Sequence, residues 1–375
     1  MPSTAAKQLI TDLAARAGIT INGGRPHDIT VHDERFFARV ARDGSLGLGE
    51  SYMEGWWDAA NLAELHHRIA SGRVAARLRG DLSLLFQALR AHLLNLQSPS
   101  RAHVVARDHY DLTDQAYRCM TDTWVTLSCG YWRDAATLQE AQEAKLDLIC
   151  RKLELRPSQR VLDIGCGFGS FARFAADRHG CTVVGINISA RQLDVARELA
   201  GDLPVEFVLC DYRDAPARFG ADCFDHVVSA GMFEHVGHRN FGAYMKAARR
   251  VLKPGGLFLL HTVGSNVSVR RNDRWFDRYI FPNGMLPSIA QIGRAIEGLF
   301  TMEDWHNFGH DYSRTLAAWY EQFERSWPGP RDDSFYRMWK YYLLCSAGQF
   351  SSRRVQLWQL VLAREGVRGG YRSIR

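Results

Sequence analysis

The sequence predicts an α/β fold: a Rossmann-like, doubly wound and mostly parallel sheet, preceded by a smaller, mainly helical region. Three observations carry this. Residues 161–169 read Val-Leu-Asp-Ile-Gly-Cys-Gly-Phe-Gly, an apolar run broken by an aspartate and followed by three alternating glycines. A helical pattern, Ser170–His179, follows directly. Beyond it, short apolar runs alternate with helical stretches, as strands joined by crossover helices do. A strand that passes through a glycine turn into a helix lets backbone approach a ligand closely. The N–H groups at the helix start then favour a carboxylate or phosphate.

In chain order, residues 1–105 hold no Rossmann-like element and read as mostly helical. A glycine-rich turn at 44–49 leads into Glu50-Ser-Tyr-Met-Glu-Gly-Trp-Trp57. Arginines recur at 68, 73, 77, 79, 90, 101 and 107 around Leu82, Leu85, Phe86, Leu89, Leu93 and Leu94, which gives one apolar stripe with a basic flank. Such a helix either faces a core with solvated arginines or lies on a membrane surface. Ser98-Pro99-Ser100 reads as the linker, and the second domain is expected over 106–375. Its first strand enters the glycines through Asp163. The second covers 181–186, after which Asn187-Ile-Ser-Ala-Arg-Gln192 opens a helix. Dinucleotide folds end this strand in an acidic residue that binds ribose hydroxyls; Asn187 stands there, with Gln192 further on, so NAD is the weaker reading. The third strand, 205–210, ends in Asp211-Tyr212, suited to an adenine amino group and to packing on the base. The fourth covers 224–229 and the fifth 257–262, introduced by the turn Lys-Pro-Gly-Gly at 253–256.

Composition bounds the function. A chain of 375 residues, 46% hydrophobic and 23% charged, has the material for two domains with full cores. It contains no run of 18 apolar residues, so no membrane span is expected. The first residues lack an apolar export segment. Eight cysteines lie scattered without a Cys-x-x-Cys pair, which suits reduced thiols in the cytoplasm. The formal charge of +6 fits an acidic partner, but no nucleic-acid motif or interleaved basic and aromatic face is present, so no nucleic-acid partner is expected.

The Asp-x-Gly-x-Gly-x-Gly spacing resembles the first motif of the class I S-adenosylmethionine-dependent methyltransferases, whose sheet has seven strands. The whole chain resembles the bacterial cyclopropane-fatty-acyl-phospholipid synthases. The segments that carry this are 44–53, His109-Tyr-Asp-Leu112, Ser128-Cys-Gly-Tyr-Trp132, 161–169, Gly231-Met-Phe-Glu-His-Val-Gly237, Leu259-Leu-His-Thr262, Tyr279-Ile-Phe-Pro-Asn-Gly284, Glu303-Asp-Trp-His-Asn-Phe308 and Gln356-Leu-Trp-Gln359, all in order.

The resemblance implies methylene transfer from S-adenosylmethionine across a cis double bond of a phospholipid acyl chain. It passes through a carbocation whose proton goes to a bound bicarbonate. It further implies a homodimer at the inner face of the plasma membrane. For the anion it implies Cys129 and Val263 (both through the backbone), Glu234, His261 and Tyr312. Tyr312 and a His261 N–H would donate while Glu234 accepts from the bicarbonate hydroxyl. For the cofactor it implies Leu127, Ser128, Asp163, Gly165, Cys166, Gly167, Gly169, Asn187, Ile188, Ser189, Gln192, Asp211 and Tyr212. Aromatic faces would stabilise the cation without trapping it, and Tyr131, Trp132, Phe233 and Trp305 are the candidates. No metal is expected: Glu234 and His235 are adjacent and point apart, and His238 adds no third ligand at a recognisable spacing. One departure stands out. Ser346 occupies the position where the family carries a cysteine, and the thiol sits one residue earlier at Cys345, about 100° away on a helix. The chemistry has no covalent enzyme intermediate, so the thiol is not required. A sibling enzyme that stops at a methyl-branched or methylene product is the nearest alternative.

Overall fold

A computed structural model describes residues 3–72 and 114–375. The expected linker at 98–100, the boundary near 105 and most of the basic amphipathic segment fall outside the described residues. Among those described, residues 3–72, Arg270–Pro282 and Tyr312–Val355 form one compact unit; residues 114–269, Asn283–Asp311 and Gln356–Arg375 form the other.

The first unit is helical, with helices Ser3–Arg16, Arg35–Asp43, Ser45–Met53, Leu62–Ser71 and Ser334–Ser351. Its two short strands, β1 (Thr30–Val31) and β2 (Trp57–Asp58), pair antiparallel. Its centre is aromatic. Tyr341 lies 5.4 Å from Tyr52, 6.4 Å from Trp57 and 4.7 Å from Trp275, ring centre to ring centre. Arg337 is held beside these rings: Nε donates to the Tyr52 carbonyl at 2.6 Å, Nη2 to Asp58 at 2.8 Å, and the guanidinium lies 4.1 Å from the Tyr52 ring.

The second unit is the expected doubly wound sheet. Its strands are β3 (Arg160–Ile164), β4 (Thr182–Asn187), β5 (Val205–Leu209), β6 (Phe224–Ala230), β7 (Leu252–Ser265), β8 (Thr301–Asn307) and β9 (Val355–Ala363), in the order β5-β4-β3-β6-β7-β9-β8. The ladders from β5 to β7 are parallel, and β8 pairs antiparallel with β9. Successive residues along each central strand feed opposite faces. Leu162, Val184, Val227 and Leu260 join one hydrophobic core, while Val161, Val183, Val228 and Leu259 join the other. That double burial is why these strands read as continuous apolar runs.

Two features differ from expectation. The turn at 253–256 lies inside β7, where the ladder jumps from Phe224↔Leu252 to His226↔Leu257, so the loop becomes an irregularity in one long strand. Strands β8 and β9 are not among the five read directly from the residues; with them the sheet has the seven strands that the resemblance implied. The order reverses at β3, between β4 and β6, and ligands of such sheets bind off the strand ends at this switch point.

Candidate active site

The glycine turn at the end of β3 is tied to β4: the Gly165 and Cys166 N–H groups both donate to the Ile186 carbonyl, at 2.9 and 3.1 Å. Gly165 and Gly169 adopt φ of +79° and +73°, and each also has a neighbour too close for a side chain. A Cβ on Gly165 would lie 2.5 Å from Met232, and one on Gly169 would overlap the Phe207 ring. Gly167 faces open space at φ +56°. The turn thus packs tightly at both ends and is bare in the middle. The helix Ser170–His179 starts from Gly169 with no side-chain cap, leaving its first N–H groups without one. Asp163, 2% exposed, is pushed up to about 7 by burial, against the pull of Lys145.

At the end of β4, Asn187 and Gln192 hold each other, Nδ2 to Oε1 at 2.8 Å. Asn187 Oδ1 accepts from the Ile188 and Ser189 N–H groups at 2.8 and 3.3 Å, and Ser189 Oγ caps the next helix through the Gln192 N–H. At the end of β5, Asp211 is bound by Arg213, whose side chain donates at 2.7 Å. Tyr212 is buried with its ring 4.8 Å from Tyr244. Beside Asp211 opens a cleft of about 550 Å³, lined also by Leu209, Cys210, Asp214 and Arg218.

The segment Leu127 to Trp132 is positioned by the helix Leu138–Lys152. Gln142 donates to the Ser128 carbonyl at 2.8 Å, Lys145 Nζ to Ser128 Oγ at 3.0 Å, and the Tyr131 N–H to the Ala141 carbonyl at 2.8 Å. Upstream, the Asp122 carboxylate accepts from the Trp124 and Thr126 N–H groups, at 3.0 and 2.9 Å, around Val125 at φ +57°, an uncommon angle for a β-branched residue. Lys145 is fully buried and pushed down to about 8. Sequence reasoning missed Lys145 and Gln142. Their signal is two polar residues on a stripe shared with Leu138, Leu146 and Ile149, which are buried. The Cys129 thiol, fully buried, donates to the Gly130 carbonyl at 3.0 Å.

Glu234 sits on the turn Phe233–His235 after β6, 8% exposed. The Val263 N–H donates to its Oε1 at 2.5 Å, whereas Oε2 has no partner among the described residues. Burial raises this carboxyl to about 7, outweighing the Val263 N–H. His261, 1% exposed, lies two residues earlier on β7, level with Ala230 at the end of β6. Burial holds it far below the usual imidazole range, and the Lys145 and Lys152 charges push the same way. Its Nδ1 lies 3.3 Å from Gln359 Nε2; its Nε2 is buried without a partner among the described residues. Two unpartnered polar atoms, one an acceptor, are therefore buried at the ends of adjacent strands.

Tyr312 and Ser346 belong to the other compact unit. Tyr312 packs its ring 4.5 Å from Phe350. Ser346 and Cys345 are both buried on the helix Ser334–Ser351, and burial holds the Cys345 thiol well above its ordinary value, hence protonated. Of the four candidate aromatics, Phe233 is stacked on Phe241 at 4.2 Å inside the core and Trp305 packs on Trp358 at 5.2 Å. Tyr131 meets His306 and Phe308 edge-on, and Trp132 is anchored through its N–H to Asp311 at 2.7 Å.

The family model described as mycolic acid cyclopropane synthetase matches residues 97–360. The cyclopropane-fatty-acyl-phospholipid synthase of Escherichia coli K12 is 47% identical over 371 residues, covering 98% of this chain and 96% of that one. Tuberculostearic acid methyltransferase UfaA1 of Mycobacterium tuberculosis is 30% identical over 88% of this chain and 81% of its own. Among solved structures, mycolic acid cyclopropane synthase CmaA1 complexed with SAH and CTAB superposes with a TM-score of 0.62 at 28% identity, covering 69% of this chain and 97% of that one. The predicted α/β methyltransferase fold is borne out, and the chain belongs to the cyclopropane-fatty-acyl-phospholipid synthase family of S-adenosylmethionine-dependent methyltransferases.

Proposed function

We propose that this enzyme adds a methylene group to the cis double bond of an unsaturated acyl chain in a membrane phospholipid, closing a cyclopropane ring, and that it holds a bicarbonate ion at Glu234 and His261. S-adenosylmethionine supplies an electrophilic methyl group, and bound bicarbonate a base for the proton lost on ring closure. The observation that carries this reading is the pair of buried, unpartnered atoms Glu234 Oε2 and His261 Nε2. An alkene is a poor nucleophile and its carbocation is quenched by water, so the reaction needs a dry site. Unpartnered polar atoms in such a site cost stability unless a ligand satisfies them. A neutral histidine N–H and a carboxylate acceptor complement an anion that has both a charged oxygen and a hydroxyl. Cys129, through its backbone N–H, is read as a further part of the same cage.

The bare Gly167 and the uncapped helix start at Ser170 suit the methionyl part of the cofactor, together with Asp163; Asn187 and Gln192 suit the ribose, Asp211 and Tyr212 the adenine. With vesicles of unsaturated phospholipid and labelled S-adenosylmethionine, acyl mass should rise by one CH₂ while the alkene signal disappears. A methyl branch or methylene group in place of the ring would instead favour the sibling chemistry named by the tuberculostearic acid relative; the higher identity to the cyclopropane synthase favours ring closure.

The enzyme is read as a homodimer attached peripherally to the inner face of the membrane. No helix among the described residues is long and apolar enough to cross one. The arginines at 73, 77 and 79 would then dock on anionic lipid, each contributing about 1 kcal/mol at most. Replacing all three by glutamine should weaken binding to anionic vesicles, more so at low salt. Equal vesicle binding by the variant would leave these arginines as a solvated face.

A further inference from the structure

Strand β9 crosses the sheet between β7 and β8 and reads Val-Gln-Leu-Trp-Gln-Leu-Val-Leu-Ala, almost wholly buried. Gln359 stands out on it. The side chain is completely buried between two histidine-bearing strands: Gln359 is the ladder partner of His306 on β8, and its Nε2 lies 3.3 Å from His261 Nδ1 on β7. Its Oε1 has no partner among the described residues. An amide satisfied at one end only is a poor core residue, since burying a polar group with an unmade hydrogen bond destabilises the fold. A leucine there would pack like its neighbours Leu357, Leu360 and Leu362. Packing therefore does not explain the residue, and its hydrogen bond to His261 does.

We propose that Gln359 is a positioning residue: it fixes His261 as the tautomer with its proton on Nε2, so that this N–H is the donor directed at the anion. An amide nitrogen only donates, so the ring nitrogen facing it must accept and the proton must sit on the other nitrogen. The structure turns the amide nitrogen, not its oxygen, toward the ring. The charged and titratable groups around the ring agree. Lys145 and Lys152 act against a second proton on it, and Lys152 is itself engaged by Asp304 at 3.5 Å and by His306 Nδ1 at 3.1 Å. Glu234, bound to the Val263 N–H on the same strand, leaves Oε2 as an acceptor. Gln359 thus does for His261 what a backbone carbonyl or carboxylate does elsewhere, with opposite polarity: the usual partner accepts from Nδ1–H, whereas this one donates to Nδ1.

This rests on the reading of His261 as an anion ligand, and the test separates the two. Ring ¹⁵N spectra of histidine-labelled full-length protein, with His261 assigned by its loss in His261→Gln, should show Nδ1 unprotonated and Nε2 protonated at neutral pH. Gln359→Glu, whose carboxylate can only accept, should move a proton onto Nδ1 and shift the acid limb of the turnover–pH profile upward. Gln359→Leu should leave Nδ1 without its donor and give a mixture of tautomers. Both variants should lose turnover by on the order of tenfold, as loss of a group that fixes a functional histidine commonly does, with S-adenosylmethionine affinity unchanged. A wild-type ring protonated on Nδ1, or a tautomer unmoved in both variants, overturns the proposal. A tautomer that responds as expected in an enzyme whose turnover ignores bicarbonate upholds the role of Gln359 and removes the bicarbonate reading instead.

Discussion

Glu234 shows what an incompletely satisfied buried carboxyl costs the fold. Burial raises its carboxyl from 4.5 to about 7, and that of Asp163 from 3.8 to about 7. Both folded values lie above the unfolded ones. Their contribution to stability is therefore fully present below about pH 4 and is lost as pH rises through 7. Glu234→Gln should consequently raise the melting temperature of the ligand-free protein at about pH 8, with little change near pH 4. The same variant, and His261→Ala, should each lower turnover by on the order of 10² while S-adenosylmethionine binding persists. Retained activity in Glu234→Gln would mean that bicarbonate is not held as proposed. Glu234, His261 and the glycines were legible in the sequence because they sit in short contiguous motifs. Lys145 and Gln142 were not, because their partner is the Ser128 segment, more than a dozen residues away.

Among the elements, legibility follows burial. Strands β3, β4 and β6 are covered on both faces and announce themselves as apolar runs, whereas β8 reads Thr-Met-Glu-Asp-Trp-His-Asn and does not. Its polar side chains are satisfied by residues distant in the chain. Asp304 is gripped by Arg375 at 2.7 and 2.8 Å and by Ser373 at 2.9 Å, Glu303 accepts from the Val367 N–H at 2.7 Å, and Asn307 donates to Gln356 at 2.9 Å. No local pattern encodes such pairs. The packing of β9 beside β7 is equally tight: a Cβ on Gly264 would overlap the Trp358 ring, which is already wedged edge-on against Trp305. Gly264→Ala should therefore cost about 1–3 kcal/mol or more, because the indole has little room to give. It should also disturb Val263 and, through it, Glu234. Thermal unfolding of the purified variant checks this, and an unchanged melting temperature would mean that the two strands are packed more loosely than described.

The molecule as a whole is stitched from segments that alternate along the chain, and this was the least legible level. The sequence suggested one helical region followed by one catalytic region, yet Arg270–Pro282 and Tyr312–Val355 fold with the residues of the N-terminal region, and Gln356–Arg375 returns to the sheet. Contacts of such long sequence separation carry a loop-closure cost and slow folding. The placement of β9 adds a temporal order. A ribosome delivers β8 well before β9, but β9 is the strand that links β8 to the rest of the sheet. Until it arrives, a nascent chain presents the bare edge of β7 and a polar strand with nothing to pair with, which are features that invite misassociation. The strand that completes the architecture also carries Gln359, so a chain cut short within it is expected to lose the ordered sheet and the proposed orientation of His261 together. A chain cut within β9 is therefore expected to expose the unpaired edge of β7, and limited proteolysis of such a truncation beside the intact protein would show it as faster cleavage.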